Sequence, residues 1–375
     1  PWSKFNRHAW SDLNRRQHYL ACSRIGAVMN PLMHIFRERE LSFMLRHGEA
    51  KLVIAPKSFR GFDFEAMVTG LQPSLPDLRH VVIVGGTGAN SFEALLSGPE
   101  WEKAPDAQDI LTRHRPGPDD VTQLIYTSGT TGEPKGVMHS ANTLMANIIP
   151  YAQRLALGAD DVVLMASPMA HQTGFMYGLM MPIMLKARVV LQDIWEPKQA
   201  IALVQSEGAT FTMASTPFLT DLARTVAETG QAVPTLKTFL CAGAPIPGPL
   251  VEQARAALGT KVVSAWGMTE NGAVTLTQLD DADERSFSTD GCPLPGVEIK
   301  VVDIDGNRLP AGEAGKLLLR SCSNFGGYLH RPHLNGTDAD DWFDTGDLAR
   351  IDAQGYIRIT GRSKDVIIRG GENIP

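Results

Sequence analysis

The residues best suited to chemistry lie in one short stretch, Tyr126 to Gly136, which reads YTSGTTGEPKG. It holds four aliphatic hydroxyl side chains (Thr127, Ser128, Thr130, Thr131), three glycines (Gly129, Gly132, Gly136) and one lysine (Lys135). Glycines let a backbone turn sharply and bring its N–H groups close to a ligand. Hydroxyls and amides offer neutral donors to phosphate oxygens, and a lysine adds a point charge. The preceding residues, Gln123 to Tyr126, have the apolar, β-favouring character of a buried strand. A polyphosphate is the natural guest of such a loop.

The spacing excludes a Walker A loop, which needs four residues between its glycines and then Gly-Lys-Ser/Thr. Here two residues separate Gly129 from Gly132, and Gly136 follows the lysine. Pro134 also suits the start of a phosphate-cradling helix poorly. A ligand-free surface turn is the alternative for any Gly/Thr-rich loop, and the ordered composition of this one favours phosphate. Gly85 to Ala89 (GGTGA) lacks the spaced dinucleotide fingerprint and reads as a plain loop.

Three further motifs follow in order: Trp266-Gly267-Met268-Thr269-Glu270, Asp344-Thr345-Gly346-Asp347 and Gly361-Arg362-Ser363-Lys364-Asp365. With the hydroxyl-rich loop they resemble the signatures of the adenylate-forming superfamily of acyl-CoA synthetases, peptide-synthetase adenylation domains and luciferases. The similarity runs from about Tyr19 to the last residue. Within the superfamily, the stretch from Ala21 to Val28 and the general run of the chain look most like bacterial short- or medium-chain acyl-CoA synthetases and cyclohexanecarboxylate-CoA ligases.

The resemblance implies an ATP-dependent carboxylic acid–CoA ligase that forms acyl-AMP, releases pyrophosphate and then makes the thioester. Such a reaction joins two anions, so catalysis is chiefly charge neutralisation and in-line positioning. By resemblance, Thr127, Ser128, Gly129, Thr130, Thr131, Gly132 and Lys135 grip the β- and γ-phosphates, and Thr269 meets the α-phosphate. Glu270 is the implied ligand of Mg²⁺, a hard ion that takes few protein ligands beside phosphate oxygens. Outside this motif, a lone Glu would read as an ordinary surface or helix-start carboxylate. Trp266 stands where the family usually has Tyr, keeping an aromatic face for adenine but losing a hydroxyl. Gly243, Ala244, Pro245 and Gly267 resemble the remaining adenine wall. Asp347 and Arg362 are the implied ribose partners, although a lone Asp in a turn commonly caps backbone.

Pro168 to Gly174 matches the motif that carries the gate of the acyl pocket, with His171 at the gate position. Gly174, Met176, Thr216, Gly267 and Met268 are candidates to line the acyl tunnel, since Met and Gly make an adaptable apolar slot. Amino-acid-activating relatives place an Asp near this histidine. Gln172, Thr173 and Phe175 occupy the region here, which favours an unsubstituted carboxylic acid. Lys364 falls at the family's hinge, where coenzyme A chemistry follows a rotation of the C-terminal lid; as a bare residue it reads as a solvated charge, the commoner fate of a loop lysine. Two alternatives stay open: transfer of the acyl group to a carrier protein, and a homologue that binds nucleotide or acyl group without turnover.

The elements that must position these residues alternate. Lys51–Ala55, His80–Val84, Asp161–Ala166, Ala187–Leu191, Thr210–Ala214, Leu236–Cys241 and Lys261–Ala265 read as strands. Pro197–Glu207, Phe218–Thr229 and Pro249–Leu258 carry helical spacing. This alternation predicts a layered α/β core over residues 1–272, in two subdomains. From 273 to 360 the pattern is β only (Val297–Val302, Lys316–Arg320, Asp347–Ile351, Tyr356–Thr360), with a hairpin turn at Asp352–Gly355, and predicts a small antiparallel β subdomain. Residues 361–375 read as the hinge and the start of a C-terminal domain whose lid, with its catalytic lysine, is absent from this chain.

With 375 residues and 43% hydrophobic content, the chain can bury more than one core. A formal charge of −6 gives no reason to expect nucleic acid or an anionic membrane as partner. The four cysteines (Cys22, Cys241, Cys292, Cys322) are scattered without a CxxC pair, so neither a disulfide framework nor a zinc site is expected and a reducing cytoplasm fits. Met176–Leu185 is too short for a membrane span, and no signal peptide is visible. A homodimer is the oligomer that general frequency favours.

Overall fold

The computed structural model describes residues 19–97, 103–127, 133–363, 367–369 and 372–374. Near the start, β1 (Leu52–Pro56) and β2 (His80–Val84) form a two-stranded parallel sheet. Helices Glu38–His47 and Phe64–Leu71 close over it, and Leu41, Leu45, Phe64, Met67, Val68 and Ile83 make a small separate core. Next comes an antiparallel hairpin of β3 (Val121–Thr127) and β4 (Lys135–Ser140), followed directly by helix α1 (Ala141–Arg154).

Beyond α1 the chain alternates through β5 (Val162–Met165), β6 (Arg188–Leu191), α2 (Pro197–Glu207), β7 (Phe211–Ala214), α3 (Thr216–Thr229), β8 (Thr238–Ala242), α4 (Gly248–Leu258) and β9 (Lys261–Met268). β10 (Gly272–Leu276) and β11 (Cys292–Pro293) complete a seven-stranded sheet in the order β11-β10-β9-β8-β7-β5-β6. β5 to β9 pair in parallel, and β10 and β11 are antiparallel.

Both faces of this sheet are covered, which explains why its strands read as nearly continuous apolar runs. Successive residues take opposite sides: Val163, Met165, Phe211, Met213, Leu240 and Val263 pack under Leu144, Ile148 and Tyr151 of α1. Val162, Leu164, Phe239, Cys241 and Val262 pack against Ile201 and Val204 of α2, Leu219 and Leu222 of α3, and Leu250 and Val251 of α4. Ser140 starts α1 with a capping box to Thr143, and Glu196 accepts from the first-turn N–H groups of α2. α2, α3 and α4 each end on a left-handed residue, Gly208, Gly230 and Gly259, a conformation cheap only for glycine.

A four-stranded antiparallel sheet, β12 (Val297–Val302), β13 (Ala314–Ser321), β14 (Phe343–Ile351) and β15 (Ile357–Arg362), follows in sequence order. Val301, Leu317, Leu319, Ala349 and Ile357 form its core together with Trp266 and Val274 from the larger sheet. The α/β architecture with a small β unit is as the sequence predicts, and Asp352–Gly355 makes the expected turn between β14 and β15. The boundary differs. β10 and β11 belong to the large sheet and a helix spans Asp283–Ser288, so the antiparallel unit begins at Val297 rather than at residue 273. An alternating pattern reveals a strand but not the sheet it joins. Among the described residues no helix is long and apolar enough to cross a membrane; Met176–Leu185 forms a π-turn and a short helix whose residues Met176 to Pro182 are buried while Ile183 is exposed.

The junction of α1, this segment and β10 is polar. The Tyr177 hydroxyl donates to Asn147 Oδ1 (2.7 Å) and accepts from the Ala273 N–H (2.8 Å), while Asn147 Nδ2 donates to the Ala273 carbonyl (2.7 Å). Tyr177→Phe leaves a buried acceptor and a buried donor without that hydroxyl and should cost about 2 kcal/mol or more. Urea unfolding of wild type and variant measures it; equal midpoints would deny the network its structural weight.

Candidate active site

Loops that leave parallel strands at their carboxyl ends share one edge of the sheet, where α/β folds bind ligands. Along this edge lie the segment from Ser167 to Gly174 after β5, Thr216 after β7, Gly243-Ala244-Pro245 after β8, and Thr269 and Glu270 after β9. The motifs far apart in sequence are therefore brought into one row by topology.

β9 turns into β10 through a tight corner. A Cβ on Gly267 would lie 1.9 Å from the Gly272 carbonyl oxygen, so only glycine fits there. Asn271 Oδ1 accepts from the Met268 N–H (3.2 Å), fixing the turn that presents Thr269 and Glu270. His139, at the far end of β4, holds it from below: Nε2 lies 2.8 Å from the Thr269 carbonyl oxygen, and Nδ1 2.9 Å from the Thr143 hydroxyl. A carbonyl only accepts, so Nε2 carries the proton and Nδ1 accepts from Thr143. Burial lowers the His139 pKa to about 4, against the raising effect of the Thr269 carbonyl, and the ring is neutral near pH 7.

Glu270 is 4% exposed. Its Oε1 accepts from the Tyr328 hydroxyl at 2.6 Å, and that same hydroxyl accepts from Lys135 Nζ at 2.8 Å. The ammonium also lies 4.1 Å above the Tyr328 ring centroid. Burial, and then the Glu270 charge and hydrogen bond, raise the Tyr328 pKa, so the phenol keeps its proton. Backbone fixes the group: Phe325 N–H donates to the Glu270 carbonyl, Gly326 N–H to that of Met138, and Leu329 N–H to that of Gly136. The lysine of the hydroxyl-rich loop and the acid of the Trp-Gly-Met-Thr-Glu motif thus share one hydroxyl. Thr127 pairs with Lys135 across the hairpin, so both ends of the loop are tied together. Ser128, Gly129, Thr130, Thr131 and Gly132 lie outside the described residues, as does Lys364.

Asp347 is 2% exposed and faces two donors. Trp266 Nε1 donates to Oδ2 at 2.9 Å, and Arg362 Nε forms an ion pair with Oδ1 at 2.8 Å. Burial raises the Asp347 pKa most; the Arg362 charge and the two donors oppose it, and the Glu270 charge adds to it. Trp266 is itself 9% exposed and packs on Val274, Leu317 and Ala349. It is built into the wall and orients Asp347, leaving less open ring for base stacking than the sequence suggests.

In the expected acyl region, His171 caps the helix Gln172–Phe175, its Nδ1 accepting from the Thr173 N–H at 3.2 Å. A Cβ on Gly174 would strike the Pro168 carbonyl oxygen at 2.2 Å. Met176 is 1% exposed and fills the main core. Met268 is half-buried and packs towards the β unit. Thr216 Oγ1 lies 3.5 Å from Cys241 Sγ, a buried thiol whose pKa burial pushes up to about 12. Gly243 and Pro245 are exposed and Ala244 half-buried at the strand edge. Sequence reasoning missed Tyr328, His139 and Asn271. Each acts through a hydrogen bond to a partner that no short spacing reveals, and only the adjacency of Asn271 to Glu270 was available as a signal.

Comparison with known proteins fits this geometry. The family model described as AMP-binding enzyme matches residues 18–329. The chain belongs to the AMP-binding enzyme family. Among curated members, a medium-chain fatty-acid–CoA ligase of Escherichia coli (strain K12) is 37% identical over 95% of this chain and 62% of its own length. A 2-hydroxy-7-methoxy-5-methyl-1-naphthoate–CoA ligase of Streptomyces carzinostaticus is 32% identical over 95% of this chain and 65% of its own. The chain thus spans a little under two thirds of these AMP-binding relatives. Of solved structures, ATP-bound MatB from Rhodopseudomonas palustris aligns with a TM-score of 0.78 at 26% identity, over 96% of this chain and 69% of its own.

Two outcomes test the geometry. Gly267→Ala must displace the Gly272 backbone and should lower the unfolding midpoint by several degrees, readable by calorimetry; an unchanged midpoint would contradict the close approach. For His139, the unfolded chain binds a proton below the ordinary 6.5, whereas the folded ring resists it down to about 4. Its contribution to stability is complete above pH 6.5 and is lost as pH falls across that window, by on the order of 3 kcal/mol. Urea unfolding at pH 7 and pH 4.5 should show a smaller acid loss in His139→Gln than in wild type.

Proposed function

We propose that this chain is the nucleotide- and acid-binding part of an ATP-dependent carboxylic acid–CoA ligase. The observation that carries the reading is the convergence of Lys135 and Glu270 on the Tyr328 hydroxyl, with Asp347 and Arg362 close enough for the Glu270 charge to be felt at Asp347. A cation, a buried carboxylate and a second acid paired to arginine are the groups that a magnesium triphosphate with its ribose requires. The similarity to CoA ligases of fatty and aromatic acids supports the same reaction.

In this reading the carboxylate oxygen of the substrate acid attacks the α-phosphorus of ATP and pyrophosphate leaves. Lys135, with the hydroxyls and amides of residues 127–132, neutralises the β- and γ-phosphates. Thr269 positions the α-phosphate, and Asp347 with Arg362 orients the ribose hydroxyls. The donor set suits Mg²⁺: Glu270 supplies a hard carboxylate with one oxygen held by Tyr328, and among the described residues no cluster of three or more His, Cys, Asp or Glu competes for the ion. When bound, the ion neutralises charge on the departing pyrophosphate. Coenzyme A thiol then attacks the acyl carbon, forming the thioester and releasing AMP. His171, Gly174, Thr216 and Met268 are the proposed contacts of the acyl group. Gln172 and Thr173 beside His171 provide no carboxylate for an α-ammonium, which favours a simple organic acid over an amino acid.

The protein should release pyrophosphate with a panel of linear, aromatic and alicyclic acids and form acyl-CoA. Acylation of a carrier protein but never of CoA would replace the acceptor. Lys135→Ala and Glu270→Ala should each lower acid-dependent pyrophosphate exchange by roughly 100-fold; wild-type exchange in Glu270→Ala would remove that residue from the reaction.

A further inference from the structure

We infer that Tyr328 is a positioning residue whose hydroxyl stands in, before nucleotide arrives, for the metal–phosphate pair that Lys135 and Glu270 serve. This rests on the ligase reading above and adds to it a residue that no motif marks.

The chemistry of the bridge carries the idea. An ammonium needs an acceptor and an ionised carboxylate needs a donor. A phosphate oxygen can satisfy the lysine but repels the carboxylate, and a cation can satisfy the carboxylate but repels the lysine. A neutral hydroxyl satisfies both, accepting from Lys135 at 2.8 Å and donating to Glu270 at 2.6 Å. The bridge therefore keeps the two charged groups hydrogen-bonded, near each other and out of direct contact. A magnesium triphosphate offers each of them its own partner at once and can displace the hydroxyl without leaving either charge alone.

Tyr328 is held firmly enough to act this way. It is 3% exposed, and its ring packs edge-on against Phe325, with centroids 4.7 Å apart. Its N–H donates to Asn335 Oδ1 at 2.9 Å, and its backbone bridges to Val137 in β4. The residue is thus pinned to the same strand that carries Lys135, while Phe325, three positions earlier, is bonded to the Glu270 backbone.

Removing the hydroxyl alone keeps the ring, its packing and its contact with the ammonium. Lys135 can then close directly onto Glu270, and nucleotide must first break that ion pair. Calorimetric titration of the chain with Mg²⁺·ATP should show Tyr328→Phe binding about tenfold more weakly than wild type, the scale of one charge-assisted hydrogen bond. ATP with excess EDTA should show a smaller change, because it makes no demand on Glu270. In a Glu270→Gln background, the further effect of Tyr328→Phe should shrink to less than about twofold. Circular dichroism checks that each variant is folded. Unchanged Mg²⁺·ATP affinity in Tyr328→Phe, or the same loss with and without Glu270, would overturn the bridge while leaving the ligase reading intact. A wild-type chain that binds no nucleotide would instead overturn that reading together with the purpose assigned to the bridge.

Discussion

The site depends on burying negative charge twice within one wall. Glu270 and Asp347 are both almost inaccessible to water, and the charge of the first makes the second harder to ionise. Burial of a carboxylate is costly unless it is paired and hydrogen-bonded. The molecule answers with separate partners: a hydroxyl and, through it, an ammonium for Glu270; a guanidinium and an indole N–H for Asp347. Much of the surrounding architecture serves to deliver those partners. Arg362 comes from the last strand of the antiparallel sheet, Trp266 from the large sheet, Lys135 from the hairpin and Tyr328 from the connection between β13 and β14.

A parallel sheet makes such delivery possible. Because β5, β7, β8 and β9 run the same way, their exits line one edge, and residues from Pro168 to Glu270 become neighbours although helices intervene. The antiparallel strands β10 and β11 then extend the sheet towards the β unit, and Trp266 and Val274 pack directly into its core. The two units are joined by apolar contact as well as by the chain, which is how Asp347 reaches an indole on the other sheet.

Local pattern carried much of this. The helices Pro197–Glu207 and Gly248–Leu258 and the strands His80–Val84 and Val297–Val302 lie where apolar spacing puts them, to within a residue. Ordered motifs gave Lys135, Glu270 and Asp347. What escaped has a common physical cause. Tyr328 is separated from Lys135 by 193 positions and from Glu270 by 58, and His139 from Thr269 by 130. Pairings at such separations leave no periodic trace. α1 was missed as well, since Pro150 lies inside it and Asn147 stands on its buried face, yet Leu144, Ile148 and Tyr151 are fully buried. The break placed at residue 273 failed because strand propensity says nothing about the neighbour a strand chooses.

Cys241 is the last residue but one of β8, two residues before the exposed Gly243, with its sulfur against Thr216. Thiols react as thiolates, and a thiol whose pKa is near 12 supplies almost none at neutral pH. Enclosure of Cys241 between the sheet and its helices therefore keeps the sulfur protonated and unreactive, by the same packing that holds the sheet together.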